Sequence, residues 1–383
     1  MPPIEKKAGG SMKYSIIEED LKEVYQRNIT WERLRGKTVL VTGAYGMLAS
    51  YIVYMLQYLN EKMAMNIQLI VVVRSEEKLR QRFGDLVSND YFHTYISNLD
   101  KPLDISEDIH FIIHAASLAS PGYYKTCPID VLKPNTIGNY YLLELAEKKK
   151  VEGYLFFSTG DVYGVVEGRE TIHECDYGSM DTLDIHNCYS ESKRMAETMC
   201  RAWQEQKNIP VKIIRICHTY APTMDVEHDP RVFASFVKDI LKKKDIIMKS
   251  NGVSKRTFCY IADALAAFFL VLFNGRSGEA YNVCNTGEFY SIAELANMLV
   301  ELYPQLDIKV VCQKRAEGEA YVENSVANSI PHDNEKLRRL GWEPKYDIKT
   351  GFGRVVDAIM QMEGMDKKGE AYADDKHFDT NLQ

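Results

Sequence analysis

The chain has 383 residues, 45% of them hydrophobic, and a net charge of -7. That is enough apolar material for a large core, and it leaves no general basic field for nucleic acid. The eight cysteines never fall at C-x-x-C spacing, so neither zinc nor a disulfide framework is indicated, and free thiols fit a cytoplasmic location. The longest apolar run, Ala264 to Phe273, is too short to span a bilayer.

In chain order, residues 1–11 read as a leader or expression remnant ahead of a second methionine, Met12. Residues 15–34 have the period of an amphipathic helix. Lys37 to Val41 reads as a buried strand, followed by a turn at Thr42–Ala49 and an apolar helix to about Leu59. Ile67 to Val73 closes a βαβ unit. Further strands are expected at Phe92–Ile96, His110–His114, Tyr154–Phe157 and Val211–Ile216, with one long helix over Ile129–Lys149 and another opening at Cys188. Alternating strands and helices predict an α/β fold with a Rossmann-type doubly wound parallel sheet. After Ile216 the rhythm changes. His218 to Pro230 reads as loop, Arg231–Lys243 as helix, Arg256–Tyr260 as strand and Ala262–Phe273 as buried helix. A helix capped by Ser291 with Glu294, a strand near Leu306–Cys312, a helix stop at Gly341 and a last helix near 348–361 complete a smaller C-terminal lobe. The expected division is a dinucleotide-binding domain over 12–216, with returns near 256–285, a substrate lobe over 217–362, and a frayed tail over 363–383.

Gly43, Gly46 and Ala49 stand at Gly-x-x-Gly-x-x-small spacing between a strand and a helix. Small residues there let backbone N–H groups approach a pyrophosphate at the helix N-terminus. Where an acidic residue would bind the adenine ribose, this chain has Arg74, which suits a 2′-phosphate and so points to NADP. Tyr189 and Lys193 are four apart and share a helical face. An ammonium beside a phenol lowers the phenol pKa toward neutrality, which makes Tyr189 a candidate general acid or base for a hydroxyl. Thr159, at the end of a strand, can hold the same hydroxyl, and Asp161 lies two residues further on. His114 ends an apolar strand and reads as a satisfied core histidine. His173, His186 and His228 lack metal-ligand spacing, and no metal is expected.

Taken together, these segments resemble the extended short-chain dehydrogenase/reductases that modify nucleotide sugars, the NAD-dependent epimerase/dehydratase family. The likeness runs over about 36–362 and rests on TGAYGMLA, on Ala119-Ser120-Pro121 with Tyr124, on Lys133-Pro134-Asn135-Thr136-Ile137-Gly138, on STGDVYG, on YSESKRMAET, on Lys255-Arg256-Thr257-Phe258 and on LGWEP. It is greatest to UDP-glucuronate decarboxylases, with 4,6-dehydratases and 4-epimerases next. The resemblance implies oxidation of a sugar at C4, with Tyr189 as base, Lys193 tuning it and Thr159 completing the triad. A tightly held NAD or NADP would lie against Gly43, Tyr45, Gly46, Met47, Arg74, Ala115, Asn135, Tyr189 and Lys193. A nucleotide-diphosphate sugar would meet Ser120, Tyr124, His218, Arg231 and Arg256. Decarboxylation or dehydration of the 4-keto sugar would follow; 4-epimerisation is the alternative, and a non-catalytic cofactor-binding regulator a distant one. The resemblance also implies a homodimer. Three positions depart from the pattern. Gly160-Asp161 stands where dehydratases carry Asp-Glu and decarboxylases Ser-Glu. Asn328-Ser329-Ile330 lacks the decarboxylases' arginine, and His218 replaces an asparagine.

Overall fold

The structure is a computed structural model and describes residues 15–313 and 330–363. The expected leader, the frayed tail beyond Glu363 and the Asn328-Ser329 pair lie outside the described residues. The strands are β1 (Thr38–Thr42), β2 (Gln68–Val73), β3 (Phe92–Ile96), β4 (Phe111–His114), β5 (Gly153–Thr159), β6 (Val211–Ile216), β7 (His218–Tyr220), β8 (Ile246–Met248), β9 (Lys255–Tyr260), β10 (Ala280–Val283), β11 (Phe289–Ser291) and β12 (Val310–Cys312). The helices are α1 (Ser15–Tyr25), α2 (Met47–Met63), α3 (Glu76–Phe83), α4 (Pro121–Thr126), α5 (Pro128–Lys133), α6 (Asn139–Lys149), α7 (Cys188–Lys207), α8 (Val232–Leu241), α9 (Ile261–Asn274), α10 (Ile292–Leu302), α11 (Glu335–Arg338) and α12 (Ile348–Met362).

Seven strands form one sheet in the order β10-β6-β5-β4-β1-β2-β3. All six pairings are parallel. Every residue of β1, β4 and β5 is buried, as strands covered by helices on both faces must be. β3 alternates buried and open positions, which suits its place at the edge. One apolar cluster joins the sheet to α2, α9 and α12, and a second joins its other face to α6 and α7. The order reverses between β1 and β4, and a crevice opens at their carboxyl ends.

α9 is buried from Ile261 to Phe273; its sequence is apolar apart from Asp263, which is paired by Arg27 at 2.7 Å, and it leaves no solvent face. Phe268 meets Phe157 of β5 at 4.7 Å, and Phe269 meets Trp31 at 4.9 Å. α1 is clasped by a buried carboxylate. Asp20 accepts from Tyr51 at 3.0 Å, Tyr260 at 2.6 Å and Arg354 at 3.0 Å, so one residue joins α1, α2, β9 and α12.

Two expectations are corrected. The single helix over Ile129–Lys149 is α5 and α6 joined by a π-helical turn at Pro134–Gly138. Pro134 has no N–H for the helical ladder, and the wider turn accommodates it. It also aims Asn135 and Asn139 at α7, where Asn135 donates to Ser192 Oγ at 2.9 Å and Asn139 to the Ala196 carbonyl at 3.3 Å. His218 to Pro230 is not all loop. Its first residues form β7, parallel to β9 in a small sheet that β11 completes. A three-residue strand has too little periodicity to show in sequence; its partner supplies the order. The remaining pairing, β8 with β12, lies beside α8 and α10.

Candidate active site

The cleft at the switch point measures about 2270 Å³. Ordinary small-ligand sites run to about 1000 Å³, so there is room for a dinucleotide and a second ligand of similar size. Gly43, Tyr45, Gly46, Met47, Ala115, Ser120, Tyr124, Thr159, Asp161, Tyr189, Lys193, His218, Arg231 and Arg256 all line it.

At one end lies the turn between β1 and α2. Gly43 has φ +67°, and a Cβ there would lie 2.8 Å from Ala116 Cα. Glycine is required both for the backbone and for this approach across the switch point. Gly46 is the N-cap of α2 and offers no side chain to the first-turn N–H groups of Met47, Leu48 and Ala49. They are left for an anion. Below the turn, Thr42 Oγ1 accepts from the Ala115 and Ala116 N–H groups at 3.1 and 3.0 Å and donates to His114 Nδ1 at 2.8 Å. His114 donates from Nε2 to the Pro134 carbonyl at 2.9 Å. Both ring nitrogens are used, and burial lowers its pKa to about 3, so it is a neutral structural group.

Two cofactor candidates stand elsewhere. Arg74 is exposed beyond β2, outside the cleft lining, and makes no hydrogen bond or ion pair among the described residues. Asn135 is fully buried between α5 and α7, tied to Val131 and Ser192, with Oδ1 unpartnered. The helix interior claims its amide, and only its neighbours on α7 reach the cleft.

β5 and α7 carry the central group. Thr159 ends β5, and its hydroxyl accepts from the Asp161 N–H at 3.2 Å and faces both the Asp161 carboxylate and the Tyr189 phenol. Tyr189 stacks on Tyr124 at 5.3 Å and 9°, and Tyr124 is fixed by donating to the Ala119 carbonyl at 3.0 Å. Lys193 is buried and donates to the Phe157 carbonyl at 2.6 Å, with its ammonium 5.8 Å from the Tyr189 ring. One expectation is reversed here. Burial, and then the Asp161 charge, push the phenol above its ordinary value, while the Thr159 hydroxyl and Arg231 oppose this. Burial also lowers Lys193 to about 7, so the ammonium that was to lower the phenol is itself destabilised and turned toward a carbonyl.

Asp161 opens to the cleft but is enclosed on its other sides. Burial and Cys217 raise its pKa, while His332, Arg256 and Thr159 lower it. His218 is held neutral, its pKa lowered to about 3 by burial and by Arg256, Arg231 and His332. Arg231 pairs with Asp229 at 2.9 Å and lies 4.7 Å over Phe233, and its far nitrogen reaches Met47 Sδ at 3.5 Å. It therefore bridges to the first turn of α2. Arg256 donates to the Lys255 carbonyl at 2.8 Å, and its charge faces Asp161 and His218.

Three cleft residues escaped the sequence reading. Ser117 has a buried hydroxyl without a partner. Cys217 follows β6, and its place one residue past a strand was a usable signal. His332 arrives from a distant segment with no local mark. Among the described residues, no group of three or more His, Cys, Asp or Glu side chains is placed to hold a metal ion. None of their helices is long and apolar enough to cross a membrane.

A strand-turn-helix cradle beside a Thr-Tyr-Lys group defines a dinucleotide-dependent enzyme site on a doubly wound sheet. Residues 39–284 match the NAD dependent epimerase/dehydratase family, and the chain belongs to it. It is 29% identical over 334 residues to UDP-glucuronic acid decarboxylase 6 of Arabidopsis thaliana, covering 86% of this chain and 91% of that one. It is 30% identical over 317 residues to UDP-glucuronic acid decarboxylase 3 of the same plant, covering 82% and 86%. Its fold is similar to that of a UDP-glucuronic acid 4-epimerase from Bacillus cereus solved with UDP-glucuronic acid and NAD, with a TM-score of 0.69 at 21% identity, covering 85% and 99%.

Proposed function

We propose that this chain oxidises the sugar of a nucleotide-diphosphate sugar at C4 and carries the 4-keto product on to decarboxylation or dehydration. The observation that carries this is the convergence of Thr159, Asp161 and Tyr189 in the same cleft as the Gly43–Gly46 cradle. Gly43, Gly46, Met47 and Ala115 fit a dinucleotide, and NAD, when bound, supplies the hydride acceptor and donor. Tyr189 takes the proton of the 4-hydroxyl, Thr159 holds that hydroxyl, and Lys193 lies behind both. Tyr124 keeps the phenol in plane. Arg256, His218 and Arg231 face the diphosphate, where the guanidinium forks suit paired oxygens. A ketone at C4 acidifies the C5 proton, and the raised pKa of Asp161 suits a group that must take and return it. The decarboxylase relatives favour loss of a carboxylate; Asp161 in the glutamate position is also compatible with loss of water. Epimerisation is the second reading, with which Gly160 is compatible because it supplies no acid of its own. Incubation with a panel of nucleotide sugars, read by mass and NMR, tests the proposal. Loss of carbon dioxide or of water supports it, an unchanged mass with a new spectrum supports the epimerase, and no change with any sugar overturns both.

A further inference from the structure

β6 and β10 lie side by side, with Ile216 in register with Val283, and the Cys217 N–H donates to the Val283 carbonyl at 3.2 Å. Cys217 and Cys284 therefore follow on adjacent strands, about 4.8 Å apart along the ladder. Both are free thiols; Cys217 is part-buried and lines the cleft, while Cys284 is fully buried behind it. The third member is His332. Its backbone is pinned by a bridge to Ile172, with Ile172 N–H donating to the Pro331 carbonyl at 2.9 Å and Asp333 N–H to the Ile172 carbonyl at 2.8 Å. The Cys284 thiol donates to the His332 carbonyl at 3.3 Å. The His332 ring lies 5.2 Å from that of Tyr163, and its buried Nε2 has no well-aligned partner. A Cβ on Gly160 would lie 3.1 Å from this Nε2 and 3.6 Å from Cys217 Sγ. Nitrogen and sulfur thus face one point, which stays open because Gly160 has no side chain.

The electrostatics favour one direction of proton transfer. The neighbouring Cys284 side chain and the His332 imidazole pull the Cys217 thiol well below its ordinary value. The Cys217 sulfur and Asp161 raise His332 against the effect of burial. The adjoining Cys217 sulfur and burial push Cys284 up, so it stays a thiol. The other groups facing the pair are Asp161 across Gly160, Arg215 beside Tyr163, the Tyr163 phenol and the Cys259 thiol, both raised by burial, and neutral His218.

We propose that Cys217 is a nucleophilic thiol site in the cleft, its proton taken by His332, that reacts with hydroperoxides and is resolved by Cys284 to a disulfide. In the first step the Cys217 sulfur attacks the terminal peroxide oxygen. An S–O bond forms and the O–O bond breaks, and the imidazolium protonates the leaving hydroxide or alkoxide. Cys217 is oxidised by two electrons to a sulfenic acid and the peroxide is reduced. In the second step the Cys284 sulfur attacks, the S–S bond forms, and the S–O bond breaks to release water with the Cys284 proton. This site shares the cleft with the sugar chemistry proposed above, since Cys217 and His332 both bear on Asp161, but its thiol chemistry does not require that reading.

The test is pulsed alkylation of the intact protein with iodoacetamide across pH, read by peptide mass. At about pH 6.5, Cys217 should react about tenfold or more faster than the exposed Cys175 and Cys312, with an apparent midpoint well under the ordinary value of about 8.5. His332→Gln should slow it about tenfold, and hydrogen peroxide should give a linked Cys217–Cys284 peptide. Cys284→Ser should instead leave a sulfenic acid that dimedone traps. A wild-type midpoint at or above the ordinary value overturns the proposal whatever the variants do. So does a Cys217 rate no greater than that of Cys175 and Cys312, an unchanged rate in His332→Gln, or the absence of the linked peptide.

Discussion

Tyr189 and Lys193 are both ionisable and buried, so each carries a consequence beyond catalysis. Replacing Tyr189 with Phe keeps the stack on Tyr124 and removes only the hydroxyl. Turnover should fall by about 10²–10⁴ while cofactor affinity holds; near-normal turnover in steady-state assays would remove Tyr189 from its role. Lys193 has a pKa of about 7 in the folded chain against an ordinary value of 10.5. Between these values the unfolded chain binds the extra proton, so this group's contribution to stability rises with pH. Below about 7 the folded chain carries the full cost of a buried ammonium. Lys193→Met should therefore melt above the wild type at pH 7 in cofactor-free protein, by about 2 °C or more, and the gap should close toward pH 10.5. The lost bond to the Phe157 carbonyl opposes this by only about 1 kcal/mol. A variant melting lower at pH 7 would contradict the sign. Asp161→Asn should leave C4 oxidation intact and block the later step, so that the near-ultraviolet absorbance of reduced nicotinamide builds up on mixing with substrate. Normal turnover would make the carboxylate a turn cap and favour the epimerase. The sequence shows these residues because each sits at a strand end or on one helical face. It does not show their electrostatics, since the protein mass that desolvates Lys193 comes from β5 and α7 together.

Elements were legible wherever their period was long. Six strands of the main sheet, α2, α7, α9 and the capped α10 stand within a few residues of their expected places, whereas the edge strand β10 is not among the expected strands, and Ser291 and Glu294 form the capping box their spacing suggested. The misreadings fall where tertiary neighbours decide. The π turn at Pro134 keeps the apolar period of a continuous helix, and β7 exists through β9 alone. His332 and Cys217 meet through the packing of β6, β10 and a bridge to Ile172, a contact that no spacing encodes. The β1–α2 turn was plain because glycine is needed there twice over, for its φ and for Ala116. Gly43→Ala should weaken NAD binding about tenfold or more in equilibrium dialysis, and should lower the melting temperature through left-handed strain of about 1–2 kcal/mol. Unchanged binding would show that the turn yields. Asp20→Ala should cost about 3–5 kcal/mol in denaturant unfolding, because it leaves the part-buried Arg354 guanidinium without its close partner. A loss under about 1 kcal/mol would mean that α1 is only an outer brace.

At the scale of the whole molecule, α6 and α7 cover one face of the sheet, and with the π turn before α6 they leave apolar side chains on their outer surface. Leu143 of α6 is fully buried in its own core. The exposed apolar side chains there are Ile137, Tyr140 and Met195, which are 45, 39 and 55% exposed. Tyr140 packs edge-on against Trp203 of α7 at 5.3 Å, so the two helices present one continuous aromatic and aliphatic surface. We propose that a second copy covers this surface, α6 and α7 against their symmetry mates, as a four-helix arrangement. A two-fold contact uses the same patch on both copies, so one substitution puts an unpaired charge into the apolar contact twice. Met195→Glu should therefore turn a dimer into a monomer in light scattering at micromolar concentration. It should leave the thermal unfolding of the monomer within about 0.5 kcal/mol of the wild type, because Met195 is exposed within its own chain. A monomeric wild type under the same conditions, or a dimer undisturbed by Met195→Glu together with Tyr140→Glu, would place the subunit contact elsewhere or nowhere.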